Sequence, residues 1–347
     1  VSNNYKVADY GWGIRLYDSS HSILTENTVS NNQQGIYLVE SSSSTLTSNT
    51  VTANEGMGVW MDYSGGSTLT DNTLSGNEYN FGVGGLSLSD YILEIDTTNS
   101  IDGKPIYYWV DHSGETVPSD AGFVGIVNSN DITVKNLTLT NNCQGVMLAY
   151  TNNSRIENVN ANNNYEGIYL YSANNNTLTS NNASNNWASI YLLGSSNNNI
   201  VNNTANSNEA EFYSNPFRVQ MSAGIYLGSH WLDSSDTSNN NTLANNNASE
   251  SDYGIYIGPS SSGNTVTNNT ANLNGIYGFY LAEDSHDNKL IDNIAESNSE
   301  DGFVLENSDD NTLINNTAAG HTGGGGDSFD VLIPVSYTHL RAHETVL

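Results

Sequence analysis

The pattern Gly-Ile-Tyr-Leu returns along this chain at a nearly fixed interval, and that interval constrains the fold more than any other feature. A glycine opens the pattern at Gly13, Gly35, Gly58, Gly145, Gly167, Gly224, Gly254, Gly278 and Gly302, with Ser189 in the same slot; neighbours lie 22 to 24 residues apart except across insertions. Eleven residues after the glycine stands a second apolar position, as at Leu24, Leu46, Leu69, Ile156, Leu178, Ile200 and Leu313. Five residues later comes a third, at Val29, Val51, Leu74, Ala161, Ala183, Ala205 and Ala318. Self-similarity at this period marks a repeat architecture. The three short alternating segments read as strands, and none is long enough for a helix of roughly ten or more residues.

Stacking the periods pairs each strand with its copy one turn later, in parallel and about 4.8 Å away. The expected fold is therefore all-β: a right-handed parallel β-helix of the pectate-lyase kind, about twelve coils of 22–24 residues. It should occupy residues 1–320, with insertions near 96–121, 209–223 and 228–238. Residues 321–347 begin with a Gly-rich linker and end in a segment that fits no repeat, which reads as a non-native tail. The opening Val1-Ser2-Asn3-Asn4 copies Val29-Ser30-Asn31-Asn32, so the chain reads as a fragment that starts inside a repeat.

Asparagine fills much of the space between the apolar triplets. Asn27, Asn49, Asn72, Asn181, Asn203, Asn246, Asn269, Asn293 and Asn316 all lie two residues before the third apolar position. Leu137 and Val159 hold the same slot elsewhere, so it should face inward and tolerate an apolar residue. Buried amides need partners, and identical amides one coil apart can supply them as a ladder. Asn174 to Asn176 read instead as turn residues, where Asn accepts a positive φ.

Eight Lys and Arg against 37 Asp and Glu give a formal charge of −29. That charge argues against nucleic acid as a partner. Cys143 is alone, so no disulfide framework is expected, and no apolar run is long enough to span a membrane.

The cycle "GIYL…NNNTL…NNA", together with "SIDGKPIYYWVDHSGETVPSDAGFVGIVNSNDITVKNLTLTNN" at 100–142, resembles the NosD-like β-helix repeat proteins, also described as carbohydrate-binding and sugar-hydrolase (CASH) domains. The resemblance covers about residues 1–320, and such modules are frequent in archaeal cell-surface proteins. Because no catalytic motif is matched, the leading expectation is an extracellular or cell-surface protein that binds polysaccharide or cell-surface glycan and protein partners without catalysis. The alternatives are a polysaccharide lyase, hydrolase or epimerase with its site in the 96–121 and 209–238 insertions, and a NosD-like accessory of copper-site maturation.

Two sets of residues are candidates for these roles. Side chains in a strand alternate faces, so in the first strand of each coil Ile and Leu point inward and the residue between them outward. That outward column holds Tyr37, Trp60, Tyr169, Tyr191, Tyr226, Tyr256 and Tyr280, which with Trp109 and Trp231 of the insertions make the carbohydrate-binding candidates. Catalytic candidates are Asp102, Asp111, His112, Glu115 and Asp120 in the first insertion and Arg218 in the second, where carboxyl groups would act as acid and base. No cofactor is expected. The histidines are scattered singly, which disfavours copper, and Asp301, Asp309 and Asp310 are the acidic turn residues best suited to calcium.

Overall fold

A computed structural model describes residues 11–208, 222–228 and 237–323, and the backbone of 331–332. The fold is an all-β solenoid of about twelve turns. It divides into two compact units, Val1–Thr151 with Asn160–Glu166, and Asn152–Val159 with Gly167–Leu347.

In the first unit the Gly-Ile-Tyr-Leu segments form Trp12–Tyr17, Gln34–Val39, Met57–Asp62 and Tyr79–Gly84, four parallel strands in one sheet. The register runs Ile14 to Ile36 to Val59 to Phe81, so one apolar column is carried up the stack. Ile36, Leu38, Val59 and Phe81 are at most 2% exposed. The opening glycines follow from the close approach of successive coils. A Cβ on Gly35 would stand 2.2 Å from the carbonyl oxygen of Gly58, closer than any side chain allows.

The stretch 96–121 contains a further strand, Lys104–Val110, which pairs in parallel with Phe123–Val127, itself paired with Gln144–Ala149. A short antiparallel hairpin, Ser100 with Pro105 and Ile101 with Lys104, leads into it. Ile106 therefore meets Phe123 one shortened coil later. One face of this small sheet packs on the preceding segment of the unit. Phe81 meets Phe123 edge-on at 5.0 Å, the Tyr108 hydroxyl donates to the Tyr91 carbonyl at 2.6 Å, and the Tyr150 hydroxyl donates to Leu86 at 3.1 Å.

The second unit repeats Ala188–Leu193, Ala223–Gly228, Tyr253–Ile257 and Tyr277–Leu281 in strict register, Ile190 to Ile225 to Ile255 to Phe279. Its asparagines form ladders. Asn203 is 2% exposed; its carboxamide oxygen accepts from the Asn181 backbone at 3.0 Å and from the Asn181 amide at 2.9 Å, and its own amide donates to Asn246 and to the Leu178 carbonyl. The same contacts continue through Asn269, Asn293 and Asn316. Two further ladders stand beside it. One links Asn176, Asn198, Asn241, Asn264, Asn288 and Asn311, so Asn176 is a buried ladder residue and only its neighbour Asn175, at φ 59°, is the turn residue.

The other ladder runs Asn186, Asn208, Ser251, Asn274, Asn298 and ends on His321. There it falters. His321 Nδ1 accepts the Asn298 backbone N–H at 3.2 Å, but the Asn298 side-chain amide and His321 Nε2 are buried without partners. An asparagine oxygen would take both Asn298 donors, as it does one coil earlier. His321→Asn should therefore raise the stability of the terminal coil by about 1 kcal/mol. Hydrogen exchange at 298–323 checks this; unchanged or faster exchange would count against the ladder reading.

Candidate functional site

Within each unit the outward residues are in register, Tyr37 with Trp60 and Tyr191 with Tyr226, Tyr256 and Tyr280, but their exposure is uneven. Tyr37 pairs with Trp60, yet Trp60 is only 3% exposed and its ring lies over Gly82 and Gly84. Tyr169 is 2% exposed. Neither offers a face to solvent, although the alternation of strand side chains puts both on the outward side. Tyr191, Tyr226, Tyr256 and Tyr280 are half-buried and consecutive in register, with ring centroids 4.6, 4.9 and 5.0 Å apart.

A second layer supports this row. Trp187 meets Tyr191 edge-on at 6.0 Å, and Tyr253 meets Tyr256 edge-on at 5.4 Å. Between them Ala188 and Ala223 occupy the column that Tyr253 continues, so small side chains leave an apolar cleft walled by Trp187, Tyr191, Tyr226, Tyr253 and Tyr256. Desolvation pushes the Tyr226 phenol up to about 12 and the Tyr256 phenol higher. These phenols are neutral across the physiological range, and the row presents uncharged aromatic surface with hydroxyl edges. Trp187, Tyr253 and Tyr277 were not singled out from sequence; Trp187 and Tyr253 stand just outside the Gly-Ile-Tyr-Leu motif, and their aromatic character was the available signal.

The first insertion gathers a different set. Tyr107 and Trp109 stand in register with Val124 and Ile126, which continue to the core residues Val146 and Leu148. They thus form the half-exposed last layer of that core. His112 stacks flat on Trp109 at 4.9 Å and 7°, and its Nδ1 lies 2.9 Å from Glu115. Tyr107 donates to Asp120 at 2.9 Å, and Asn128 donates to Asp111. Asp102, at φ 49°, accepts from the Gly76 backbone and the Asn80 amide, the work of a turn. The histidine and glutamate side chains are 37% and 51% exposed, so the dyad lies in water rather than in a desolvated cleft. Arg218 and Trp231 lie outside the described residues.

A family model for NosD, the periplasmic copper-binding protein, matches residues 1–114, 95–230 and 219–325. The chain belongs to the NosD family. Its fold is similar to the A-module of the mannuronan C-5 epimerase AlgE6 from Azotobacter vinelandii, at 14% identity over 90% of this chain and 91% of that one, TM-score 0.45. It is also similar to the Dettilon tailspike protein, at 15% identity and TM-score 0.44, covering 86% of this chain and 61% of the tailspike's length. The adhesin PfbA of Streptococcus pneumoniae matches at 12% identity over 87% of this chain and 84% of the adhesin, TM-score 0.42. These likenesses concern the fold alone. A comparison with curated proteins finds no match.

Copper sites use clustered imidazole, thiolate or thioether ligands. Among the described residues no three of His, Cys, Asp and Glu come together. Cys143 and Met147 are both fully buried, His112 and His286 each contact one carboxylate, and His321 engages the Asn298 backbone through Nδ1. The described part of this NosD-family chain does not fit a copper centre. Asp301, Asp309 and Asp310 likewise form no calcium cluster with other described carboxylates.

Proposed function

We propose that this NosD-family chain is a non-catalytic β-helix that binds polysaccharide at the cell surface or in the extracellular space. The observation that carries the reading is the row Tyr191, Tyr226, Tyr256 and Tyr280, held in register by parallel strands and left half-exposed beside an apolar cleft. Strand spacing sets a repeat of about 4.8 Å along the row. That is comparable to the length of one pyranose residue in an extended chain, and pyranose C–H faces pack on aromatic rings. An extended peptide advances about 3.3 Å per residue and does not keep step with such a row. The description of the family as periplasmic supports a place outside the cytoplasm.

Each ring contact contributes about 0.5–1.5 kcal/mol. Tyr226→Ala combined with Tyr256→Ala should therefore weaken retention on an immobilised polysaccharide at least several-fold. Affinity electrophoresis of both proteins through gels containing neutral, acidic and amino polysaccharides measures it. A wild type that no polysaccharide retards, or a double variant retarded equally, would overturn the proposal.

A further inference from the structure

We infer that the end of the row formed by Tyr253, Tyr256, Tyr277 and Tyr280, with Glu300 and Glu306, recognises a protonated amine, and that the polysaccharide bound is an amino-sugar polymer with free ammonium groups. This rests on the glycan-binding reading above and names its substrate class.

The four rings enclose one another closely. Tyr277 and Tyr280 stack at 5.5 Å and 5°, and Tyr253 meets both edge-on at 5.7 and 5.6 Å. Tyr256 lies 5.0 Å from Tyr280. Two carboxylates act on this cluster: the Tyr280 hydroxyl donates to Glu306, and Glu300 adds to burial in holding the Tyr277 phenol above its ordinary range. Neither glutamate takes part in the ion pairs His112 with Glu115, Arg155 with Glu157 or His286 with Asp287.

A cation gains from aromatic faces within about 6 Å of their centroids and gains further from unpaired carboxylates. Tyrosines combined with acids are the side chains that hold ammonium ligands in aromatic cages. The charges around the cluster have one sign. Burial raises the Tyr253, Tyr277 and Tyr280 phenols first, and the fields of Glu300 and Glu306 raise them further. A field that opposes a phenolate favours an ammonium. The formal charge of −29 acts in the same direction at long range, against uronate or sulfated chains and toward cationic ones.

The test titrates the full chain with fully deacetylated chito-oligomers, their N-acetylated counterparts of equal length, and poly-lysine, at a pH where the amines are protonated. Wild type should bind the deacetylated oligomer roughly tenfold tighter than the acetylated one. That ratio should fall toward one in Glu300→Gln with Glu306→Gln, and should shrink in high salt. Circular dichroism of the double variant checks that it is folded. A ratio of one in wild type, or one unchanged by the two substitutions, overturns the inference while the glycan reading stands. Poly-lysine bound more tightly than the amino-sugar oligomer would replace the polysaccharide with a basic protein partner. No binding of any oligomer sinks both readings.

Discussion

Asn203→Asp should destabilise the second unit by about 3–5 kcal/mol, the cost of leaving a buried charge without a partner. The carboxylate can still accept from the Asn181 backbone and amide. It loses the amide that donates to Asn246 and to the Leu178 carbonyl, and sets an anionic oxygen against two acceptors. Burial raises the folded-state pKa of the new carboxyl above its unfolded value. The penalty is therefore full above the folded pKa and shrinks as pH falls toward the unfolded one. Urea denaturation at neutral and acid pH measures both features. Equal stability of variant and wild type at neutral pH would mean that no such ladder exists.

Asn203→Leu should also destabilise, by about 1–3 kcal/mol for each group it orphans. The sequence suggested otherwise, because Leu137 and Val159 share the slot. Those residues do face inward, at 3% and 1% exposure. What residue identity alone did not display is that each ladder amide also caps backbone N–H and C=O groups in neighbouring coils, so removing one amide leaves several groups unpaired.

Gly224→Val should cost at least about 3 kcal/mol, the upper end for forcing atoms into a packed core. A Cβ there would lie 2.7 Å from the Gly254 carbonyl oxygen and 2.8 Å from both the Ala205 oxygen and the Ala248 Cβ. Two of these neighbours are backbone and cannot rotate aside. Ser189 shows what the slot requires of an exception: its hydroxyl donates to Asn208 at 2.6 Å. Gly224→Ser should therefore be less harmful than Gly224→Val, and a thermal melt of the three proteins orders them. A valine variant as stable as wild type would remove the close approach of coils as the reason for the glycines.

The coil was legible because its period, its glycines and one asparagine ladder repeat in residue identity. Asn176 was harder to place, since a ladder asparagine and a turn asparagine look alike until burial separates them. The first insertion showed itself as a break in the cycle. Its conversion into a short coil did not, because Tyr107 and Trp109 stand where the repeat elsewhere has Ile, Val or Leu. The register of Tyr37 with Trp60 and of Tyr191 with Tyr226, Tyr256 and Tyr280 was legible, and the uneven exposure was not, because it depends on how the Trp60 ring lies over Gly82 and Gly84 of the next coil.

The central claim is that this NosD-family chain holds a polysaccharide along its tyrosine row and does not transform it. The most direct measurement incubates the protein with the polysaccharide that retards it most, then follows polymer chain length, reducing ends, unsaturated ends and sugar configuration alongside retention. Retention that depends on Tyr226 and Tyr256, with all four polymer properties unchanged, is the predicted result. New chain ends or inverted sugar centres, lost on Glu115→Gln or Asp120→Asn, would contradict it and make the first insertion an active site.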